Sequence, residues 1–246
     1  MSYGFRSQAD LDALTPEVGW WYNWSHRPDA TLSGAEFVPM VWGAIQPADV
    51  ATIEAGIPQE ARFLLGFNEP NFKHQANLTA AEAAALWPLL ERIADDRGLE
   101  LVAPAVNYCG PADACWDTNP FSWLDDFFEA CDARGGCRVD YVAGHWYSCY
   151  GGALSGFLRD LHAHARGRKV WLTEFACAEV ADVSLPRQQA YMEDAVAILE
   201  ADPMVFRYAW FIGRQAPANP GWPIDLLGAD GQLTPLGEAY VGLPGP

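Results

Sequence analysis

The chain has 246 residues, half of them hydrophobic and 13% aromatic, with a formal net charge of −17 at pH 7. That charge excludes nucleic acids and anionic membrane surfaces as partners, because both are held by Lys/Arg patches. It suits a neutral ligand and a soluble monomer, and the length favours one domain over residues 1–246 with a sizeable core.

No apolar run approaches the roughly 20 residues needed to span a bilayer. The first residues do not read as a signal peptide. Taken in order, residues 3–5 are a short apolar start. Residues 18–24 form an aromatic strand, and residues 36–42 a second one interrupted by Pro39. Residues 62–68 are nearly all apolar and stop at Pro70, as a strand covered on both faces would. Further strands are expected over residues 99–106, 139–147, 169–175 and 206–211.

Helical patterns lie between them. Thr79-Ala80-Ala81-Glu82 is a capping box that opens an alanine-rich helix running to Arg97; Pro88 predicts a kink in it and Gly98 a stop. Residues 120–134 place Phe121, Leu124, Phe127, Phe128 and Cys131 on one stripe. Residues 153–165, 184–201 and 234–243 complete the helices. The Pro/Gly-rich residues 216–223 read as a loop after the last strand. Strands alternating with helices imply an α/β fold with a parallel sheet. Counting residues 3–5 as a strand gives eight, and so a single compact (β/α)8 TIM barrel. The alternative is an open doubly wound sheet. No G-x-G-x-x-G or P-loop follows any strand, which leaves a nucleotide fold without support.

The six cysteines show no C-x-x-C spacing of the kind zinc sites favour. Cys109/Cys115 and Cys131/Cys137 share one close spacing, and Cys149 and Cys177 remain. Three disulfides, paired by proximity, imply an oxidising, extracellular or periplasmic compartment.

In such a barrel the active site gathers where strands end. The fourth expected strand delivers Asn68-Glu69 and the seventh ends in Thr173-Glu174. The sixth offers His145, Trp146 and Tyr147. The second offers Asn23 and Trp24, the third Trp42, the fifth Asn107 and Tyr108, and the eighth Trp210. Two carboxylates among Trp, Tyr, His and Asn make up a sugar cleft: aromatic faces pack on pyranose rings and the polar groups bind hydroxyls. Two carboxyls facing one glycosidic oxygen can divide the labour of hydrolysis. Trp20, Trp21 and Trp171 alternate with the cleft candidates and are expected in the core, and Trp87, Trp116 and Trp123 in packing.

Tyr22-Asn23-Trp24, Phe37-Val38-Pro39-Met40-Val41-Trp42-Gly43, Leu65-Gly66-Phe67-Asn68-Glu69-Pro70-Asn71 and Trp171-Leu172-Thr173-Glu174-Phe175, in that order, resemble glycoside hydrolase family 128. The resemblance implies a compact (β/α)8 barrel and retaining hydrolysis of β-1,3-glucan, and the expectation adopted is endo action. Glu69 would be the acid/base and Glu174 the nucleophile. Asn68 would contact the sugar beside the scissile bond, and His145 or Tyr147 the nucleophile. This route implies no metal or organic cofactor. Exo action, another neutral polysaccharide, or a glucan-binding protein without catalysis are the alternatives.

Overall fold

The computed structural model describes residues 1–178, 181–215 and 222–243. Two short strands, β1 (Trp20–Trp21) and β2 (Glu36–Phe37), pair in parallel as a sheet of their own. A second sheet holds β3 (Phe63–Leu65), β4 (Glu100–Val106), β5 (Tyr141–Trp146), β6 (Val170–Phe175) and β7 (Val205–Trp210), all parallel and in chain order. The helices α1 (Gln8–Leu14), α2 (Val50–Gly56), α3 (Ala80–Arg97), α4 (Pro120–Ala133), α5 (Gly151–His164), α6 (Leu185–Ala201) and α7 (Pro235–Val241) lie between and beyond them.

The expected closed (β/α)8 barrel is therefore corrected. The larger sheet is open, with five strands, and the two-stranded sheet is separate. Local chemistry accounts for the missing strands. In residues 3–5, Gly4 takes φ 132°, which bends the chain after a single bridge between Ser2 and Tyr22. A Cβ at Gly4 would lie 2.3 Å from the Arg214 backbone nitrogen, so only glycine passes there. In residues 36–42, Pro39 has no N–H to give a ladder. β2 stops at Phe37, and Met40 makes one isolated bridge to Leu65. Pro104 has the same effect inside β4, where the register against β5 shifts between Val102 and Ala105.

The helix signals are realised closely. Thr79 and Glu82 form both bonds of the capping box, and Gly98 closes α3 with φ 68°. Pro88 lies within α3 without ending it. α1 and α2 have seven residues each and few apolar positions, too short a pattern to read from periodicity. Residues 216–221 of the expected loop lie outside the described residues.

The main core packs α3 and α4 on the sheet through Trp87, Phe127 and Trp123, whose rings meet at 5.3 and 5.8 Å. Each such buried side chain stabilises the fold by roughly 1.5–3 kcal/mol. A second cluster, including Trp20, Phe63 and Trp171, gathers residues of both sheets. The Arg207 guanidinium stacks on Phe63 and Trp171 at 4.6 and 5.0 Å and pairs with Glu36 at 2.7 Å. Trp20, Trp21 and Trp171 are all buried. The three disulfides Cys109–Cys115, Cys131–Cys137 and Cys149–Cys177 are formed, with Cα separations of 5.9, 5.2 and 4.4 Å.

Candidate active site

Past β3 the chain delivers Asn68 and Glu69 on a backbone held from two sides. The Asn68 N–H donates to Trp42 O and the Glu69 N–H to Ala105 O, both at 2.8 Å. Glu69 itself takes φ 43°, a left-handed conformation that a side chain of its length rarely adopts. Trp24 shares that feature, at φ 56°. Backbone of this kind persists where the surroundings over-determine it, often at a site of function.

β6 brings Glu174, which lies in register beside His145 of β5. Strands β3 and β6 are three steps apart, about 14 Å in a flat sheet at the usual strand spacing. Yet ligand atoms of Glu69, His145 and Glu174 all lie within 4.8 Å of one another. The sheet must curl to bring them together. The two carboxylates are 7% and 4% exposed, and His145 is fully buried.

The hydrogen bonds differ between the two acids. Glu69 Oε1 accepts from Asn107 Nδ2 at 3.0 Å and lies 2.9 Å from His145 Nδ1. Glu174 Oε1 accepts from Trp24 Nε1 at 2.8 Å, with the Tyr22 hydroxyl at 3.1 Å. Glu174 Oε2 accepts from the Tyr147 hydroxyl and lies 3.3 Å from His145 Nδ1. So both His145 and Tyr147 touch Glu174. Burial, then the neighbouring Glu174, pushes the Tyr22 and Tyr147 phenols well above their ordinary pKa, so both remain donors.

Burial is the largest influence on both carboxyls and acts upward on each. At Glu69 the contacts with His145 and Asn107 outweigh it and draw the group below its ordinary range. At Glu174 burial, helped by the neighbouring Glu69 charge, prevails over His145, Tyr147 and Trp24 and lifts the group above it. Burial acts downward on His145, but the two carboxylates outweigh it and raise its pKa.

The pair opens into a cleft of about 360 Å³. Trp24, Trp42, Asn68, Asn107 and Tyr147 line it beside Glu69 and Glu174. Gln75 and Phe211 line it too, and the sequence reading singled out neither. Three expected site residues lie elsewhere. Asn23 folds onto its own turn, donating to Arg27 O and accepting from the Ser25 N–H. Tyr108 is 43% exposed and packs edge-on against Phe121 and Trp146. Trp210 is fully buried, donates to Ile224 O and packs on Phe175. Tyr22, in place of Asn23, reaches Glu174 from just past β1, and Trp24 reaches it from its left-handed position two residues on. A second hollow, of about 250 Å³, is lined by Trp20, Arg207 and Tyr208 among others and holds neither carboxylate. Among the described residues, Glu69, His145 and Glu174 are the one set of side chains that could hold a metal ion.

Residues 2–240 match the family described as glycosyl hydrolase catalytic core. The fold and the paired carboxylates thus mark a glycoside hydrolase. Among solved structures the chain is similar to a GH128 (subgroup II) endo-β-1,3-glucanase from Sorangium cellulosum. The TM-score is 0.88, at 45% identity, covering 99% of this chain and 97% of that one. A second subgroup II endo-β-1,3-glucanase, from Pseudomonas viridiflava, has a TM-score of 0.84 at 39% identity, covering 99% and 96%. A subgroup III curdlan-specific exo-β-1,3-glucanase from Blastomyces gilchristii is more distant, with a TM-score of 0.76 at 28% identity, covering 98% and 97%. The curated alkali-sensitive linkage protein 1 of Schizosaccharomyces pombe is 29% identical over 234 residues. That match takes in 91% of this chain but 40% of the relative's length. The chain belongs to glycoside hydrolase family 128.

Proposed function

We propose that the protein is a retaining endo-β-1,3-glucanase in which Glu69 is the acid/base and Glu174 the nucleophile. The observation that carries the reading is the pair of buried carboxylates, an oxygen of one within 4.8 Å of an oxygen of the other, on one open cleft. Retaining enzymes hold their carboxyl groups about 5–5.5 Å apart, and inverting ones leave room for a water between them. The endo assignment draws on the two subgroup II relatives, both endo-β-1,3-glucanases.

In the first step Glu69 gives its proton to the glycosidic oxygen as the bond to the anomeric carbon breaks. Glu174 attacks that carbon and forms a glycosyl ester. In the second, Glu69 takes a proton from water, the water oxygen bonds to the same carbon, and Glu174 leaves as a carboxylate. Asn68 lines the cleft next to Glu69 and is placed to hold a sugar hydroxyl. Trp42, 39% exposed, offers a ring face to a pyranose. The three disulfides favour action outside the cytoplasm. The chain is read as one catalytic unit acting as a monomer.

Incubation with a linear β-1,3-glucan tests this. A ladder of oligosaccharides from the first time points is expected, with the anomeric configuration retained. Glu69→Gln and Glu174→Gln should each lower kcat by at least about 100-fold with the fold intact. A single small product from the start would replace endo with exo action. Near-wild-type turnover in either variant would remove that residue from its role.

A further inference from the structure

Among the described residues, His145 is the one side chain within hydrogen-bond distance of both carboxyls. Its ring is fully buried, with Nδ1 2.9 Å from Glu69 Oε1 and 3.3 Å from Glu174 Oε2. A nitrogen between two such oxygens carries its hydrogen, because an ionised carboxylate oxygen, or the carbonyl oxygen of a protonated carboxyl, only accepts. Nε2 has different surroundings. It is buried, and no group among the described residues lies within hydrogen-bond distance. A doubly protonated ring would bury a charged N–H there without an acceptor, and leaving a charged group unmet costs more than leaving a neutral one.

The carboxyl oxygens sort the same way. Glu174 Oε1 faces the Trp24 N–H, which can only donate, and Oε2 faces the Tyr147 hydroxyl and the His145 ring. Glu69 Oε1 is taken by Asn107 and His145. Glu69 Oε2 has no hydrogen-bond partner among the described residues, yet it is not among the buried unpaired atoms, so it is the oxygen that reaches the cleft. It alone has room for a proton pointed at a ligand.

We propose that His145 is a positioning residue that acts as a neutral ring, sharing its single Nδ1–H between the two carboxylates and leaving the pair's one proton on Glu69 Oε2. This rests on the two-glutamate reading above and adds what poises the pair. The titratable groups that face the ring are Glu69 after β3 and Glu174 on β6; Tyr147 after β5 and Tyr22 after β1 face Glu174, and His74 adds a smaller positive influence on Glu69. The low position of Glu69 depends on charge at His145. A neutral ring withdraws that charge from both carboxyls; Glu174 keeps the Tyr147 and Trp24 donors while Glu69 keeps Asn107, so the proton settles on Glu69. The upward pull on the His145 ring needs charge on both carboxylates; with Glu69 protonated only Glu174 supplies it, and burial of the ring opposes it, so His145 gains and loses no proton through the cycle.

The test reads the ring directly, in the intact enzyme without substrate. Nitrogen-15 NMR of the five histidines, assigned against His145→Asn, should show Nε2 bare and Nδ1 protonated across the active pH range. Asn places an amide N–H near the Nδ1 position and cannot become charged; Gln places it near Nε2, and Phe has none. The Asn variant should stay within about tenfold of wild type, while Gln and Phe should lose about 100-fold in kcat with KM little changed, the loss a misplacement of about 1 Å brings. In Gln and Phe both limbs of the pH profile should move to higher pH, because each carboxylate loses a donor. Two protonated ring nitrogens at the pH optimum would overturn the proposal. So would an Asn variant as impaired as Gln at an unchanged melting temperature. If the wild type cleaved no β-glucan, the functional reading would fall, while the protonation of the ring would still decide this proposal.

Discussion

Trp24 shows how much one donor contributes at this site. Its indole N–H reaches Glu174 Oε1 at 2.8 Å from a left-handed backbone position, and its ring lines the cleft. A donor stabilises the ionised carboxylate, so it works against the burial that raises Glu174. In the proposed mechanism Glu174 acts only when ionised, and its titration sets the acidic limb of the pH profile. Trp24→Phe keeps a ring and removes the donor, so the Glu174 pKa rises further. The acidic limb of kcat/KM should move up by about one pH unit, since a hydrogen bond to a charged group contributes roughly 1.5–3 kcal/mol. A profile with an unmoved acidic limb would mean that the indole serves substrate stacking alone.

At the scale of elements, the placement of Glu69 depends on how closely β3 runs over its neighbours. A Cβ at Gly66 would lie 2.9 Å from the Trp87 ring and 3.0 Å from Val102 O. Trp87 is fully buried and donates to Arg138 O, so it has no room to retreat. Gly66→Ala must therefore push the strand, at a cost of about 1–3 kcal/mol. The push arrives three residues before Glu69. Calorimetry should show a lower melting temperature, and kcat should fall more than stability alone explains. A variant with both unchanged would show that the chain after β3 is not held as tightly as its contacts imply. The same scale explains what was legible beforehand. The capping box of α3 and the apolar stripe of α4 are local patterns, and both helices form where those patterns place them. The strands at 18–24 and 36–42 shrink to two residues each. Ladder pairing depends on a neighbour's backbone, and Pro39 leaves that neighbour a missing donor.

At the scale of the whole molecule, two of the three disulfides flank the cleft. Cys109–Cys115 follows Asn107, and Cys149–Cys177 joins the chain after Tyr147 to the chain after Glu174. With a sequence separation of 28, the latter constrains the unfolded chain by about 3–4 kcal/mol in the loop-entropy account, against about 2 kcal/mol for each separation of 6. Cys149Ser/Cys177Ser should therefore lower the melting temperature by about 10 °C. It should also reduce activity at temperatures where the fold survives, because Tyr147 and Glu174 lose a shared anchor. Equal melting and equal activity would reduce this bridge to a bystander.

The chain alone determined the residue types of the site, the two glutamates at strand ends, the helices and the cysteine pairs, because each rests on short-range pattern or spacing. Only the tertiary structure decided that the larger sheet stays open at five strands, since that turns on single backbone groups at Gly4 and Pro39 meeting distant partners. It also decided that Tyr22 reaches Glu174 while Trp210 is withdrawn into the core. Above all it set His145 between both carboxylates. A contact across three strands is a property of how far the sheet curls, and no local pattern in a sequence encodes that angle.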